Sequence, residues 1–312
     1  MDLRAVEEEA REEIRQGQKK LTLFMLGSVD VGKTYTVSSI ATRFYEQGLK
    51  VAVVDADVGQ SDIGPPCCIG MGILEKEIQK LSEVQPHSLF FVGNTSPNGC
   101  VRECIQGAGA AVKKAKELSA DVIIVDSTGW IEGEDAKRFK LSEIKEINPS
   151  FIVVIERDDE LEHILLHLTN KKIIKLRMSG EARSRTREER KALREKSYNK
   201  YFRAAKNKVI KLSLLDTIPE EGTLLGLFED KSKSEKDEKE IAGLGILRKL
   251  DYKQGEAVVF SPVDTDAKIK RIKTGRVKLI RANEGFKEEA IYNRKLTYTP
   301  KSPNQHTGSS AR

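Results

Sequence analysis

Residues 27–34 read Gly-Ser-Val-Asp-Val-Gly-Lys-Thr, the pattern GxxxxGKT, and their flanks confine what the chain can build. The run 21–26 (LTLFML) before them is apolar and of strand length, and 34–47 after them has helical character up to Gly48. Strand, glycine-bearing loop and helix in that order make a phosphate cradle. The loop's N–H groups and the helix N-terminus face an anion, Lys33 reaches the β/γ-phosphates, and the Thr34 hydroxyl can ligate Mg²⁺. Gly27, Ser28, Val29, Asp30, Val31, Gly32, Lys33, Thr34 and Tyr35 are the expected contacts of a nucleoside triphosphate.

Further β-rich runs recur at 50–57, 88–93, 121–127 and 150–156, and the segments around 34–47, 100–118, 135–147 and 158–169 have helical length and period. Nearly continuous apolar strands alternating with helices predict an α/β fold, a P-loop, doubly wound and mainly parallel sheet with both faces covered. Ligands of such sheets bind beyond the carboxyl ends of the strands. From Val209 the pattern changes to short strand-like runs separated by turns, which predicts a small C-terminal all-β module. The expected division is a helical arm over 1–20, a nucleotide-binding domain over 21–208 with an arginine-rich lid at 178–203, and a β module over 209–299. A charged insertion at 229–240 and a disordered tail at 300–312 complete it.

The chain of 312 residues carries a formal charge of only +6, but the charge is unevenly placed. Residues 183–208 are net +8 and residues 268–281 net +7, so the remainder is acidic. Two concentrated basic segments suit a polyanion partner. For the second, a lysine-rich edge strand guarding against aggregation reads equally well. No apolar run approaches the ~20 residues that span a bilayer, and the charged N-terminus has no signal-peptide core. A soluble, cytoplasmic protein without a membrane partner is expected, and protein partners are left open. Cys67, Cys68, Cys100 and Cys104 lack the spacing of a zinc site and read as buried or half-buried thiols.

The other strand ends narrow the reaction. Asp55, Asp57 and Asp62 follow the second strand closely enough to serve Mg²⁺ or to act as a base towards a nucleophile. Asp126, after the apolar run VIIV, is a strand-tip acid of the Walker B kind that could hold a Mg²⁺-bound water. No Asn-Lys-x-Asp follows the strand at 151–155, and Asn170-Lys171-Lys172-Ile173 lacks the final acid, which favours ATP over GTP. Trp130 either stacks on a base or covers the rim of the core, and position alone does not separate the two. The arginines 183, 185, 187, 190 and 194 lead into Tyr198, Tyr201 and Phe202, a helix suited to close over phosphates, with a guanidinium neutralising charge on the transferred group.

GSVDVGKT (27–34), DADVGQSDIGPP (55–66), TSPN (95–98), STGW (127–130) and the arginine segment ending in YNKYF (198–202) together resemble the polynucleotide 5′-hydroxyl kinase family. GLGIL (243–247) is similar to that family's C-terminal module. The resemblance covers most of residues 21–280 and implies transfer of the ATP γ-phosphoryl group to the 5′-hydroxyl of RNA, with DNA as a second candidate acceptor. It implies that Lys33 and Thr34 hold the phosphates and Mg²⁺ and that Asp57 and Gln60 form a DxxQ motif with Asp57 as base; Asp126, read from its strand end alone, is a further metal candidate or a cap on the loop Ser127-Thr128-Gly129. It further implies that Thr95 and Asn98 clasp the terminal nucleotide, that Trp130 packs on a substrate base, and that Arg185 and Arg190 are the lid arginines, with Arg183, Arg187 and Arg194 as substitutes in another register. Only about twenty residues precede the first strand, so a large preceding β domain of the eukaryotic kind is not expected, and a compact prokaryotic-type enzyme is. Two other classes stay open: an ATPase switch that moves a partner, and a silent RNA-binding scaffold. Retention of Lys33, Thr34, Asp57 and Gln60 together speaks against the second.

Overall fold

A computed structural model describes residues 3–177, 184–229, 240–264 and 267–290. Its first sheet has eight strands in the order β10-β4-β3-β2-β5-β1-β6-β7. These are β1 (Leu21–Gly27), β2 (Val51–Asp55), β3 (Cys68–Ile73), β4 (Ser88–Phe91), β5 (Val122–Asp126), β6 (Phe151–Glu156), β7 (Lys172–Arg177) and β10 (Glu240–Ile241). The five strands β2, β5, β1, β6 and β7 run parallel, whereas β3, β4 and β10 add antiparallel pairs at one edge.

The alternation of side chains along β1 shows why this sheet is wound on both faces. Phe24 and Leu26 enter a core with Cys104 and Ala108 of α3 (Val101–Glu117), Phe139 and Ile144 of α4 (Gly133–Ile147) and Ile164 of the short α5 (Glu162–Leu165). Leu23 and Met25 enter the opposite core with Val6 and Ala10 of α1 (Arg4–Arg15) and Val37, Ile40 and Phe44 of α2 (Lys33–Glu46). Period-2 alternation of uniformly apolar residues leaves no polar face, so helices must cover both sides.

The second sheet is antiparallel, in the order β14-β13-β9-β11-β12-β8. It comprises β8 (Lys206–Lys211), β9 (Thr223–Glu229), β11 (Gly243–Asp251), β12 (Glu256–Ser261), β13 (Ile269–Ala282) and β14 (Gly285–Ala290). Between the sheets runs α6 (Arg187–Tyr201). Its start carries a capping box: the Glu189 N–H donates to Thr186 Oγ1 at 3.1 Å, and the Thr186 N–H donates to Glu189 Oε2 at 2.8 Å. A core of Cys67, Tyr198, Phe202, Phe228, Leu244 and Phe286 joins the first sheet's loops, α6 and the second sheet.

Several sequence expectations are adjusted. β3 and β7 were not anticipated. The first reads as a glycine-rich continuation of the DADVGQSDIGPP loop, and the second, KIIKLR, is interrupted by basic residues as an edge strand can be. The helix expected over 158–169 is confined to Glu162–Leu165. β8 begins at Lys206, so the second sheet starts before the boundary placed at 208/209. β10, at the end of the charged insertion, pairs with β4 and so belongs to the first sheet. The rest of the insertion at 229–240, the 178–183 start of the lid with Arg183, and the 300–312 tail lie outside the described residues. Among the described residues, no helix is long and apolar enough to cross a membrane.

Candidate active site

The carboxyl ends of β2, β5, β1 and β6 lie side by side, and the phosphate loop springs from the end of β1. Asp30 (φ 56°) and Gly32 (φ 90°) make the loop's two left-handed turns. Asp tolerates this region better than most side chains do, and Gly without penalty. Gly32 is also the residue that caps α2, and it has no side chain to satisfy the first-turn N–H groups. They are left for an anion. Lys33, only 8 % exposed, donates from Nζ to the carbonyls of Gly27 (3.0 Å) and Ser28 (2.6 Å), which places its ammonium inside the loop. Burial pushes the Lys33 pKa down, and the carboxylates of Asp126 and Asp57 oppose that shift.

Thr34 donates its hydroxyl to Asp126 Oδ2 at 2.7 Å. The other oxygen of this buried carboxylate, Oδ1, has no hydrogen-bond partner among the described residues. Burial pushes the Asp126 pKa up to about 6, against the lowering effect of Lys33 and of the Thr34 hydrogen bond. A buried oxygen without a partner, next to a threonine hydroxyl and a lysine, has the chemistry of a hard-cation site.

Asp55, aligned with Asp126 across the β2–β5 pair, has a different task. Its oxygens accept from the N–H groups of Asp57 (3.1 Å), Asp62 (2.6 Å) and Ile63 (2.9 Å), which fixes the loop from within. Buried and close to Asp126, it is held far above the usual carboxylate pKa. Asp57 is half-buried, and its Oδ1 accepts from the N–H groups of Gly59 and Gln60, both at 3.0 Å. Gln60 turns its amide to the carbonyls of Gly59 (2.8 Å) and Arg190 (3.2 Å), so it ties the loop to α6.

Asp30 makes the second tie. Its Oδ2 accepts from the Arg185 N–H (2.9 Å) and from Arg190 Nη2 (2.6 Å). Burial would raise the Asp30 carboxyl, but these two donors outweigh it and hold the group below its ordinary pKa. Arg190 and the backbone of Arg185 therefore meet the phosphate loop. Arg194 does not: its guanidinium forms a two-pronged pair with Glu288 of β14 at 2.7 and 2.8 Å. Arg187 is exposed and also stays outside the loop.

Thr95 stands beside the Asp57 loop, and Asn98 follows in the same turn, where its N–H donates to Ser96 Oγ at 3.3 Å. A Cβ on Gly59 would lie 2.7 Å from the Thr95 carbonyl oxygen, so only glycine permits that approach. Trp130 sits next to the phosphate loop, since a Cβ on Gly129 would come within 2.6 Å of the Val29 nitrogen. One face of the half-buried Trp130 ring stacks on Phe139, with centroids 5.7 Å apart. It thus packs against the core rim as well as standing at the site. All four cysteines are buried and free.

Sequence reasoning missed Arg276, from the basic run in β13. Its N–H donates to the Gly93 carbonyl (2.6 Å) and its Nη1 to the Gly99 carbonyl (2.6 Å), bracketing the loop that carries Thr95 and Asn98. It missed Arg157 as well, whose Nη2 reaches the Asp30 carbonyl at 3.3 Å. The basic character of 268–281 was the available signal for the first. Its role depends on a contact 177 residues away along the chain.

The profile of the family described as mRNA cleavage and polyadenylation factor CLP1 P-loop matches residues 27–204, more than half of the chain. The chain belongs to this CLP1 P-loop family. The match runs from the phosphate loop through α6 and stops where the second sheet starts. Among curated relatives, the polyribonucleotide 5′-hydroxyl-kinase of Methanocaldococcus jannaschii is 39 % identical over 196 residues, covering 62 % of this chain and 53 % of the relative. That of Pyrococcus abyssi is 32 % identical over 232 residues, covering 73 % of this chain and 62 % of the relative. The matched parts thus span between about half and about three-fifths of those relatives' own length. A solved wild-type Clp1p–Pcf11p complex aligns with a TM-score of 0.64 at 16 % identity, covering 86 % of this chain and 76 % of the solved one. That likeness extends the CLP1 fold to the second sheet.

Proposed function

We propose that this CLP1-family chain transfers the γ-phosphoryl group of ATP to the 5′-hydroxyl end of RNA. The observation that carries the reading is Asp57. Its carboxylate is oriented by the Gly59 and Gln60 N–H groups at the tip of the strand neighbouring β5, on a loop tied to α6. A carboxylate so held accepts the proton of an incoming hydroxyl, which is the one task a phosphoryl acceptor of this kind needs from the protein. The archaeal relatives, named as polyribonucleotide 5′-hydroxyl-kinases, support the choice of RNA.

The remaining residues divide the work. Gly27 to Tyr35 wrap the triphosphate, and Lys33 offsets the charge on its β/γ end. Thr34 and Asp126, with its unpaired Oδ1 as a hard oxygen, would hold Mg²⁺, with Asp57 and Gln60 as further oxygen donors. Bound there, the ion would spread the charge of the transferred group. Arg190, anchored on Asp30, keeps guanidinium donors to spare for the phosphoryl oxygens, with Arg185 beside it. Thr95 and Asn98 present the terminal nucleotide, and Trp130 offers its free face to a base. Four free thiols and a need for ATP fit the cytoplasm.

The test is label transfer from γ-³²P-ATP to matched 5′-hydroxyl RNA and DNA oligonucleotides, with a 5′-phosphorylated RNA as the blank. Label on the 5′-hydroxyl RNA alone, or on both 5′-hydroxyl strands, supports the reading and ranks the acceptors. Label only in free phosphate contradicts it and favours an ATPase switch.

A further inference from the structure

Beyond Gln60 the loop opens into a groove of about 920 Å³. Its mouth is Gln60, Ser61, Asp62 and Arg185, only a few residues from Asp57. One wall is α6 and the turn after it, and the opposite side is the 80–86 segment. No residue of the phosphate loop lines the groove, so it is not part of the ATP cradle.

Lys196 and Lys200, four residues apart on one face of α6, and Arg203, in the turn that follows the helix, line the groove. All three are exposed. No ion pair or side-chain hydrogen bond engages them among the described residues, whereas the polar groups between them are occupied. Arg194 is taken by Glu288, Asn199 by the Phe286 backbone, and the Tyr201 hydroxyl by the Leu244 N–H. Lys80 adds a cation from the other side, and Asp62 is the single carboxylate in the lining. Pro65, Pro66, Val84 and Pro86 add apolar surface to the lining, and the 43 % exposed Leu193 adds more from α6 itself. A positively charged groove that tracks a backbone is how single strands are held without reading their sequence.

We infer that this groove is the track for the acceptor strand beyond its first nucleotide, with Lys196, Lys200 and Arg203 neutralising successive internucleotide phosphates. The inference rests on the kinase reading and extends it. The track makes the enzyme prefer an acceptor with several phosphates over a single nucleotide, and binding there depends on salt.

The experiment compares adenosine 3′-phosphate with a 5′-hydroxyl pentaadenylate as acceptors, using parent protein, the triple variant Lys196→Glu/Lys200→Glu/Arg203→Glu, and Lys191→Glu as a control on another part of α6. A milder set, Lys196→Gln/Lys200→Gln/Arg203→Gln, guards against misfolding, with melting temperature monitored throughout. The expected result is a loss of about tenfold or more in kcat/KM on the pentamer, carried by KM, with adenosine 3′-phosphate phosphorylated as by the parent. The slope of log affinity against log salt should fall by about 2, from three phosphates at about 0.7 each. Equal losses on both acceptors, or none on the pentamer, would overturn the track. Failure of the parent to label either acceptor would instead overturn the kinase reading on which the track depends.

Discussion

At the scale of single residues, the acids of the site differ because their neighbours differ. Asp30 is held ionised by Arg190 and the Arg185 N–H, Asp55 is buried in backbone N–H bonds, and Asp126 sits near pKa 6 with an unpaired oxygen. The Asp126 value has a consequence for stability. In the unfolded chain this carboxyl titrates near 3.9, so between about pH 4 and pH 6 the folded state keeps a proton that the unfolded state has released. Stability therefore declines as pH rises through that window. Asp126→Asn removes the penalty and keeps an acceptor for Thr34. The variant is expected to be more stable than the parent by about 3 kcal/mol at pH 7, with the gain largely gone at pH 4. It should nonetheless lose phosphoryl transfer. Chemical unfolding at the two pH values checks the first part, and a less stable variant at pH 7 would contradict it. GxxxxGKT and DxDxGQ were legible here because local spacing carries their geometry. The choice between Arg190 and Arg194 was not, because it depends on Asp30 and Glu288, which lie far off in the chain.

At the scale of elements, α6 is fastened at both ends. Its start meets the phosphate loop through Asp30 and Gln60. Its later turns meet β14 through Arg194–Glu288 and the Asn199 contacts with Phe286, and meet the 59–66 loop's continuation where Tyr198 lies 3.1 Å from the Cys67 sulfur. Glu288→Ala leaves the partly buried Arg194 without its acceptor and should cost about 1–3 kcal/mol of stability, read by denaturant unfolding. Because the helix also carries Arg190, the same variant should lower kcat. Unchanged kcat would mean that the β14 end of α6 does not set the position of its other end. The clasp loop behaves similarly. Arg276→Ala removes the Nη1 bond to Gly99 and should raise KM for the acceptor about three- to tenfold while leaving KM for ATP unchanged. A rise in both would place Arg276 in general stability instead. The parallel strands were readable as continuous apolar runs. β3 and β7 escaped because one is glycine-rich and the other carries three basic residues among its apolar ones.

For the whole molecule, the two sheets share the core around Cys67, Tyr198, Phe202 and Phe228, and β10 returns to the first sheet after β9 has built the second. Such interleaving makes the change in periodicity near Val209 a poor marker of where structure divides, although it does mark where helices give way to strands. The two sheets are expected to unfold together. Trp130 lies in the first sheet's half and is the only tryptophan, so its fluorescence reports that half alone. Phe228→Ala in the second sheet removes a large ring from the shared core, a loss of about 3–5 kcal/mol. It should lower the Trp130 melting midpoint and the circular-dichroism midpoint together, by about 5–10 °C. A Trp130 transition that stays at the parent temperature would show the halves to be independent. The central claim is that this assembly exists to activate a 5′-hydroxyl on Asp57. Its most direct test is the single-turnover rate of label transfer to 5′-hydroxyl RNA by the parent and by Asp57→Asn, with ATP affinity measured alongside. The expected outcome is a rate lower by about 10²–10⁴ with ATP affinity nearly unchanged. A variant that transfers label as fast as the parent would contradict the account.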